Sequence, residues 1–253
     1  DHCLVGSEMC IRDRNNTNVF VVIPNVGIAN TFGGLYKGTD KYSFKTLQAP
    51  LNATGGTYTY SRTDGSSPTG YYKYHVFVGT GSLNMNVPMK SCPTFNLICV
   101  AGGGSGGTGS LYGYSAGGGG GGGLIFFSAM RIESGKNYPI QVGKGGKNQT
   151  GGTGNYDGAS GRVGYNGRNT SFNGHVAVGG GAGGGGLSVD STSGGSGGGS
   201  GGRNSGSASR IGRGILGQGN DGGHSDDHGD VVTYGAGGGG AGSAGTEGDN
   251  SVR

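Results

Sequence analysis

Tryptophan is absent from this 253-residue chain, proline occurs 6 times, cysteine 4 times, and only 13% of residues are charged. Each shortage excludes something. Collagen needs abundant proline and glycine at every third position. Here Pro139 is the sole proline after Pro93, and glycines run unbroken from Gly117 to Gly123. No apolar stretch approaches the roughly 18 residues of a membrane span; the longest are Val19 to Ile23 and Leu124 to Phe127. The formal charge is +4, the pI is ≈ 8.8, and the basic residues are spread along the chain. Neither a nucleic-acid partner nor membrane insertion is expected from that balance. Leu, Ile, Val and Phe are scarce enough to suggest disorder, but the high net charge that accompanies disorder is missing.

What the chain has instead is glycine. There are 67, against roughly 18 at average usage, and they are unevenly placed: 11 in residues 1–100 and 56 in residues 101–253. Upstream, β-branched and aromatic residues alternate with polar ones in Asn18 to Ile23, Thr57 to Tyr60, Tyr71 to Val78, Leu83 to Val87 and Phe95 to Val100. Turn residues such as Asp64-Gly65 and Gly79-Thr80-Gly81 separate them. That pattern predicts short antiparallel strands. Downstream, glycine runs alternate with strand-like apolar pieces: Leu124 to Phe127, Asn137 to Gly143 and Ser171 to Val178. Glycine costs about 1 kcal/mol per residue relative to alanine in a helix interior, so essentially no α-helix is expected.

Residues 1–14 are a separate case. Cys3 to Arg14 can be encoded by a transposase-type sequencing-library adapter read in frame, so this stretch is set aside before fold reasoning. Cys3 and Cys10 leave the cysteine arithmetic with it. Cys92 and Cys99 lie too far apart on an extended strand to pair and are expected as buried thiols. The last residues, Gly248 to Arg253, carry no cap or closing strand, as a truncated fragment would.

A glycine-rich half can be a flexible linker or an ordered array whose core is backbone. Exposed Leu-Ile-Phe-Phe does not suit a linker. The expected fold is therefore an all-β part, residues 15–100, followed by a polyglycine-II helix sandwich, residues 101–253, in which close-packed backbones bond to one another. Ser105, Thr108 and Leu111 follow a three-residue repeat that suits such a rod.

His75 to Leu83, Asn96 to Gly104, the Gly117–Gly123 run into Leu124-Ile125, and Tyr138 to Gly146 occur in this order. Asn169 to Phe172 and Val178 to Gly186 then follow. In that order they resemble the glycine-rich domain common in phage tail proteins. The distal tail-fibre adhesins of T-even-like phages look similar, as does the glycine-rich extracellular region of anaplastic-lymphoma-kinase-type receptors. The resemblance implies a tail-fibre or appendage structural protein of the virion tail or cell surface that presents variable loops to a host receptor. Its partners would be a host cell-surface protein or glycan and other tail-fibre subunits. The alternative is a secreted bacterial or eukaryotic glycine-rich surface or matrix protein.

Loop aromatics and their polar neighbours are the candidate receptor contacts: Tyr112 and Tyr114; Tyr156 and Asp157; Tyr165, Asn166 and Arg168; and Tyr234. Tyrosine gives rigid amphipathic contact area with few lost rotamers, though it would equally seal the ends of glycine runs. His224, Asp226, Asp227 and His228 join them. Two imidazoles with carboxylates suit a divalent metal, but their setting between glycine runs favours a solvated loop, and no metal is expected. Gly102, Gly104 and Gly107 mimic a dinucleotide fingerprint, yet no acid occurs between Asp64 and Glu133 and no helix follows, so no cofactor is expected. No nucleophile sits with a base, and no enzyme is expected.

Overall fold

The computed structural model describes residues 18–22, 52–63, 71–86, 94–131, 133, 135–149, 161–187, 189–202, 210–225 and 234–248. Residues 1–14 lie outside this set, and so do Cys92 and the Asp64-Gly65 turn.

Ten strands form two five-stranded sheets. They are β1 (Asn18–Val22), β2 (Asn52–Thr54), β3 (Tyr58–Thr63), β4 (Tyr71–Phe77), β5 (Gly81–Asn86), β6 (Thr94–Val100), β7 (Leu124–Arg131), β8 (Asn137–Gln141), β9 (Thr170–Phe172) and β10 (His175–Ala177). One sheet has the order β3-β4-β1-β6-β7 and the other β10-β9-β8-β5-β2. Both sheets take strands from each side of residue 100. The second sheet is antiparallel throughout. In the first, β1 runs parallel to both β4 and β6, which corrects the expectation of antiparallel strands alone. The Ser171 to Val178 piece is a hairpin whose two-residue turn, Asn173-Gly174, has φ of 45° and 82°. Positive φ at both central residues matches the right-handed strand twist, and Asn-Gly tolerates it best.

The core lies between the sheets. Phe77, Phe95, Leu97, Cys99 and Ile125 come from one; Ala53, Leu83, Met85, Tyr138, Ile140, Phe172 and Ala177 come from the other. Phe172 is fully buried and joins the two, meeting Phe95 edge-on at 5.8 Å and Tyr138 stacked at 5.7 Å. Strand alternation directs these residues inward. Burial pushes the Cys99 thiol up to about 12. A raised pKa favours the protonated thiol in the folded state, so its contribution is fully present below the unfolded value near 9 and is lost as pH rises toward 12. Wild-type stability should therefore fall faster than that of Cys99→Ala across this window, by up to about 1.4 kcal/mol per pH unit. Urea unfolding at several alkaline pH values measures it, and parallel slopes would refute the assignment.

The expected polyglycine-II helix sandwich in residues 101–253 is corrected: the described residues contain strands and non-helical connections and no helix of any kind. Glycine content does not decide the element type. At many of these glycines a Cβ would not fit against neighbouring backbone, a constraint that does not specify which backbone repeat is adopted. Among the described residues no glycine in the runs 101–109, 117–123, 179–186, 194–202 or 235–240 has positive φ, so close approach, not left-handed backbone, explains these runs. A relay of backbone hydrogen bonds crosses them: Gly104 N–H to Gly120 O at 2.8 Å, Gly120 N–H to Gly181 O at 2.8 Å and Gly181 N–H to Ser196 O at 2.8 Å. Next to it, Gly197 donates to Asn220 O at 2.9 Å and Asn220 to Gly240 O at 3.1 Å. Burying this much backbone is tolerable because its donors and acceptors find each other.

Thr170, fully buried at the start of β9, ties the sandwich to the glycine runs. Its Oγ1 donates to Val100 O at 2.9 Å and accepts from Gly143 N at 2.9 Å.

Candidate functional site

With the glycine runs occupied in mutual backbone bonding, side chains capable of recognition are left at the connections. Leu111 and Tyr112 occupy the turn after the first run and are 58% and 63% exposed. That turn is fixed by Ser110, whose N–H donates to Tyr114 O at 3.0 Å while its Oγ accepts from Tyr114 N at 3.3 Å. Tyr114 itself is buried. The two tyrosines thus face different surroundings: Tyr112 is available to a partner, and Tyr114 packs inside.

Tyr165, Asn166 and Arg168 are exposed neighbours on one segment. Asn166 is a structural tie, because its Oδ1 accepts from Ala182 N at 2.9 Å and from the Thr192 hydroxyl. Tyr165 and Arg168 keep their side chains at the surface while their backbones are held by the first glycine run: Ser105 N–H donates to Tyr165 O at 2.9 Å and Gly102 N–H to Arg168 O at 3.0 Å. Tyr234 is half exposed before the last run. His224 is half-buried, and its Nδ1 donates to Ser225 O at 2.9 Å. Tyr156, Asp157, Asp226, Asp227 and His228 lie outside the described residues. Among the described residues no group of three or more His, Cys, Asp or Glu side chains forms a metal-binding cluster, and no helix is long and apolar enough to cross a membrane.

Two surface features escaped sequence reasoning. The first is the tip at 213–221, where Leu216 is 99% exposed and Ile215 39%. Its base is braced: Arg213 pairs with Asp221 at 2.7 Å, and Gly214 N–H donates to the same carboxylate at 2.7 Å. That Gly214 bond first, then the Arg213 guanidinium, holds the Asp221 carboxyl below the usual carboxylate range. Gln218 anchors the far side of the tip, its side chain accepting from Val178 N at 2.8 Å and donating to Val176 O at 3.1 Å. An isolated Ile-Leu pair between glycines carries no sequence signal of this exposure.

The second feature is the segment beside Tyr165 that contains Lys144 and Lys147, both exposed. Arg168 N–H donates to Lys144 O at 2.8 Å, and the Gln149 side chain donates to Val163 O at 2.7 Å. Residues 144–149 and 162–168 therefore run side by side in opposite directions. The three-residue spacing of Arg162, Tyr165 and Arg168, and of Lys144 and Lys147, was the available sequence signal.

Comparison of the whole chain with protein families finds that a model described as a glycine-rich domain matches residues 77–253. Neither a curated protein nor a solved structure matches the chain.

Proposed function

This chain belongs to the glycine-rich domain family, and from that premise we propose a structural protein of a phage tail fibre or comparable extracellular appendage, whose rigid frame presents loops to a host-surface receptor. One observation carries the reading: large apolar and aromatic side chains stand outside the core on connections between the glycine runs, with the backbone held by hydrogen bonds around Tyr112, at Tyr165 and around Leu216. Leu111, Tyr112, Tyr165, Leu216 and Tyr234 are all between 46% and 99% exposed. Holding such groups in place before binding lowers the ordering cost of association, and aromatic anchors of this kind dominate interface energetics. The role is binding and assembly, without catalysis. The partners are a host cell-surface protein or glycan and other subunits of the appendage. The virion assignment draws on the ordered motifs shared with phage tail proteins.

Binding of the labelled full chain to a panel of bacterial cells tests the reading. Saturable binding is expected, weakened about tenfold or more by the combined substitutions Tyr112→Ser and Leu216→Ser, which remove exposed anchors and leave the core intact. A folded chain that binds no cell type saturably would overturn it.

A further inference from the structure

The face formed by residues 144–149 and 162–168 gathers cations that are dispersed in sequence. Lys144, Lys147, Arg162 and Arg168 are all exposed around Tyr165, which is 49% exposed. None of the four cations takes part in an ion pair among the described residues. Between Glu133 and Asp190 the sequence holds one acid, Asp157, which lies outside the described residues. Among the described residues, no ion pair neutralises this face.

The row is also fixed at every third residue. Thr108 N–H donates to Arg162 O at 2.9 Å, and Arg162 N–H donates back to Thr108 Oγ1 at 2.8 Å. Ser105 N–H donates to Tyr165 O at 2.9 Å, and Tyr165 N–H donates back to Ser105 Oγ at 2.8 Å. Gly102 N–H closes the third position on Arg168 O at 3.0 Å. The three-residue repeat of Ser105 and Thr108 is thus the template that spaces Arg162, Tyr165 and Arg168. Successive members stand no more than roughly 10 Å apart along the chain.

We propose that this face binds an acidic polysaccharide, a sugar chain bearing repeated carboxylate or sulfate groups. The spacing suits charges repeated along a polymer better than a single small anion. Arginine forks match planar carboxylates and sulfate oxygens by paired hydrogen bonds, and the lysines add point charges beside them. Tyr165, set between the two arginines, offers an apolar ring face to a sugar and a hydroxyl to its polar edge. A nucleic acid is the weaker fit. Single-strand binders use several stacking platforms in succession, and a pI of ≈ 8.8 falls short of the strongly basic balance of nucleic-acid domains.

The inference deepens the surface-binding reading and rests on it. Surface plasmon resonance of the full chain tests it, with immobilised polygalacturonate, dextran sulfate, neutral dextran and a thymidine oligonucleotide as probes. Saturable, salt-sensitive binding to at least one acidic polymer is expected, and the preference between them names the anion. At about fivefold per cation against an anionic surface, the variant Lys144→Gln, Lys147→Gln, Arg162→Gln, Arg168→Gln should lose roughly 600-fold in affinity with its thermal midpoint unchanged. Tyr165→Ala should weaken sugar binding severalfold without altering the salt dependence. No preference over neutral dextran, wild-type affinity in the four-residue variant, or tighter binding to the oligonucleotide would each overturn the assignment. Cell binding undiminished in the four-residue variant also overturns it and leaves the scaffold reading standing. Polygalacturonate binding without any cell binding does the reverse.

Discussion

Gly104→Ala is expected to destabilise the fold by about 3 kcal/mol, whereas the same change one residue earlier, Gly103→Ala, should be neutral or stabilising by a few tenths to about 1 kcal/mol. Composition and local sequence do not separate the two positions. A Cβ on Gly104 would be driven into the Gly181 carbonyl, 2.6 Å from its carbon and 3.0 Å from Gly180 O. Those atoms are backbone and cannot rotate away. Gly104 N–H also donates to Gly120 O, so relief by shifting the run breaks part of the relay through Gly181 and Ser196. At Gly103 the nearest atom, Gly120 O, would stand 3.5 Å from the new carbon, an ordinary contact. Neither glycine has positive φ, so alanine meets no backbone strain at either, and at Gly103 it only lowers the entropy of the unfolded chain. For a chain of this size, 3 kcal/mol corresponds to roughly 6 to 12 °C in thermal midpoint. Thermal and urea unfolding of the two variants measure the contrast. Equal effects would mean that the glycine runs are not packed at this separation.

Thr170→Val should cost about 2 to 4 kcal/mol even though valine has nearly the same shape. The hydroxyl it removes serves two backbone groups at once, accepting from Gly143 N and donating to Val100 O. Gly143 is buried, and an unsatisfied buried donor costs about 1 to 3 kcal/mol. Thr170→Ser keeps both bonds and loses one methyl, worth about 0.8 kcal/mol. Hydrogen exchange at the Gly143 amide separates the explanations. Faster exchange in the valine variant, with the serine variant close to wild type, is the expected result. If serine and valine destabilise equally, packing rather than hydrogen bonding fixes this position.

Much of the sheet content was legible in residue order. Period-two alternation located β1 and β3 to β6, and the apolar interruptions in the glycine-rich half became β7, β8 and the β9–β10 hairpin. The three-residue strand β2 went unseen because Asn52-Ala53-Thr54 has too little alternation to register. Parallel pairing of β1 was also out of reach, since alternation specifies which face a residue occupies and says nothing of strand direction. Among the candidate contacts, sequence could not distinguish Tyr112 from Tyr114: both follow the same glycine run, and only the Ser110 turn decides which is buried. Nor could sequence show that Asn166, an exposed candidate contact, also holds Ala182 and Thr192 through its side-chain oxygen.

The sequence by itself determined that this chain is β-rich, lacks the material for helices, and gathers its glycine beyond residue 100. Those properties follow from local terms: alternation, propensity and the backbone freedom of glycine. Tertiary structure decided what glycine was for. Backbones brought within hydrogen-bonding distance across many residues exclude a Cβ at Gly104 and admit one at Gly103, a difference set by neighbours distant in sequence. The same long-range packing brought Lys144 and Lys147 beside Arg162 and Arg168, turning charges that are scattered in the chain into one face.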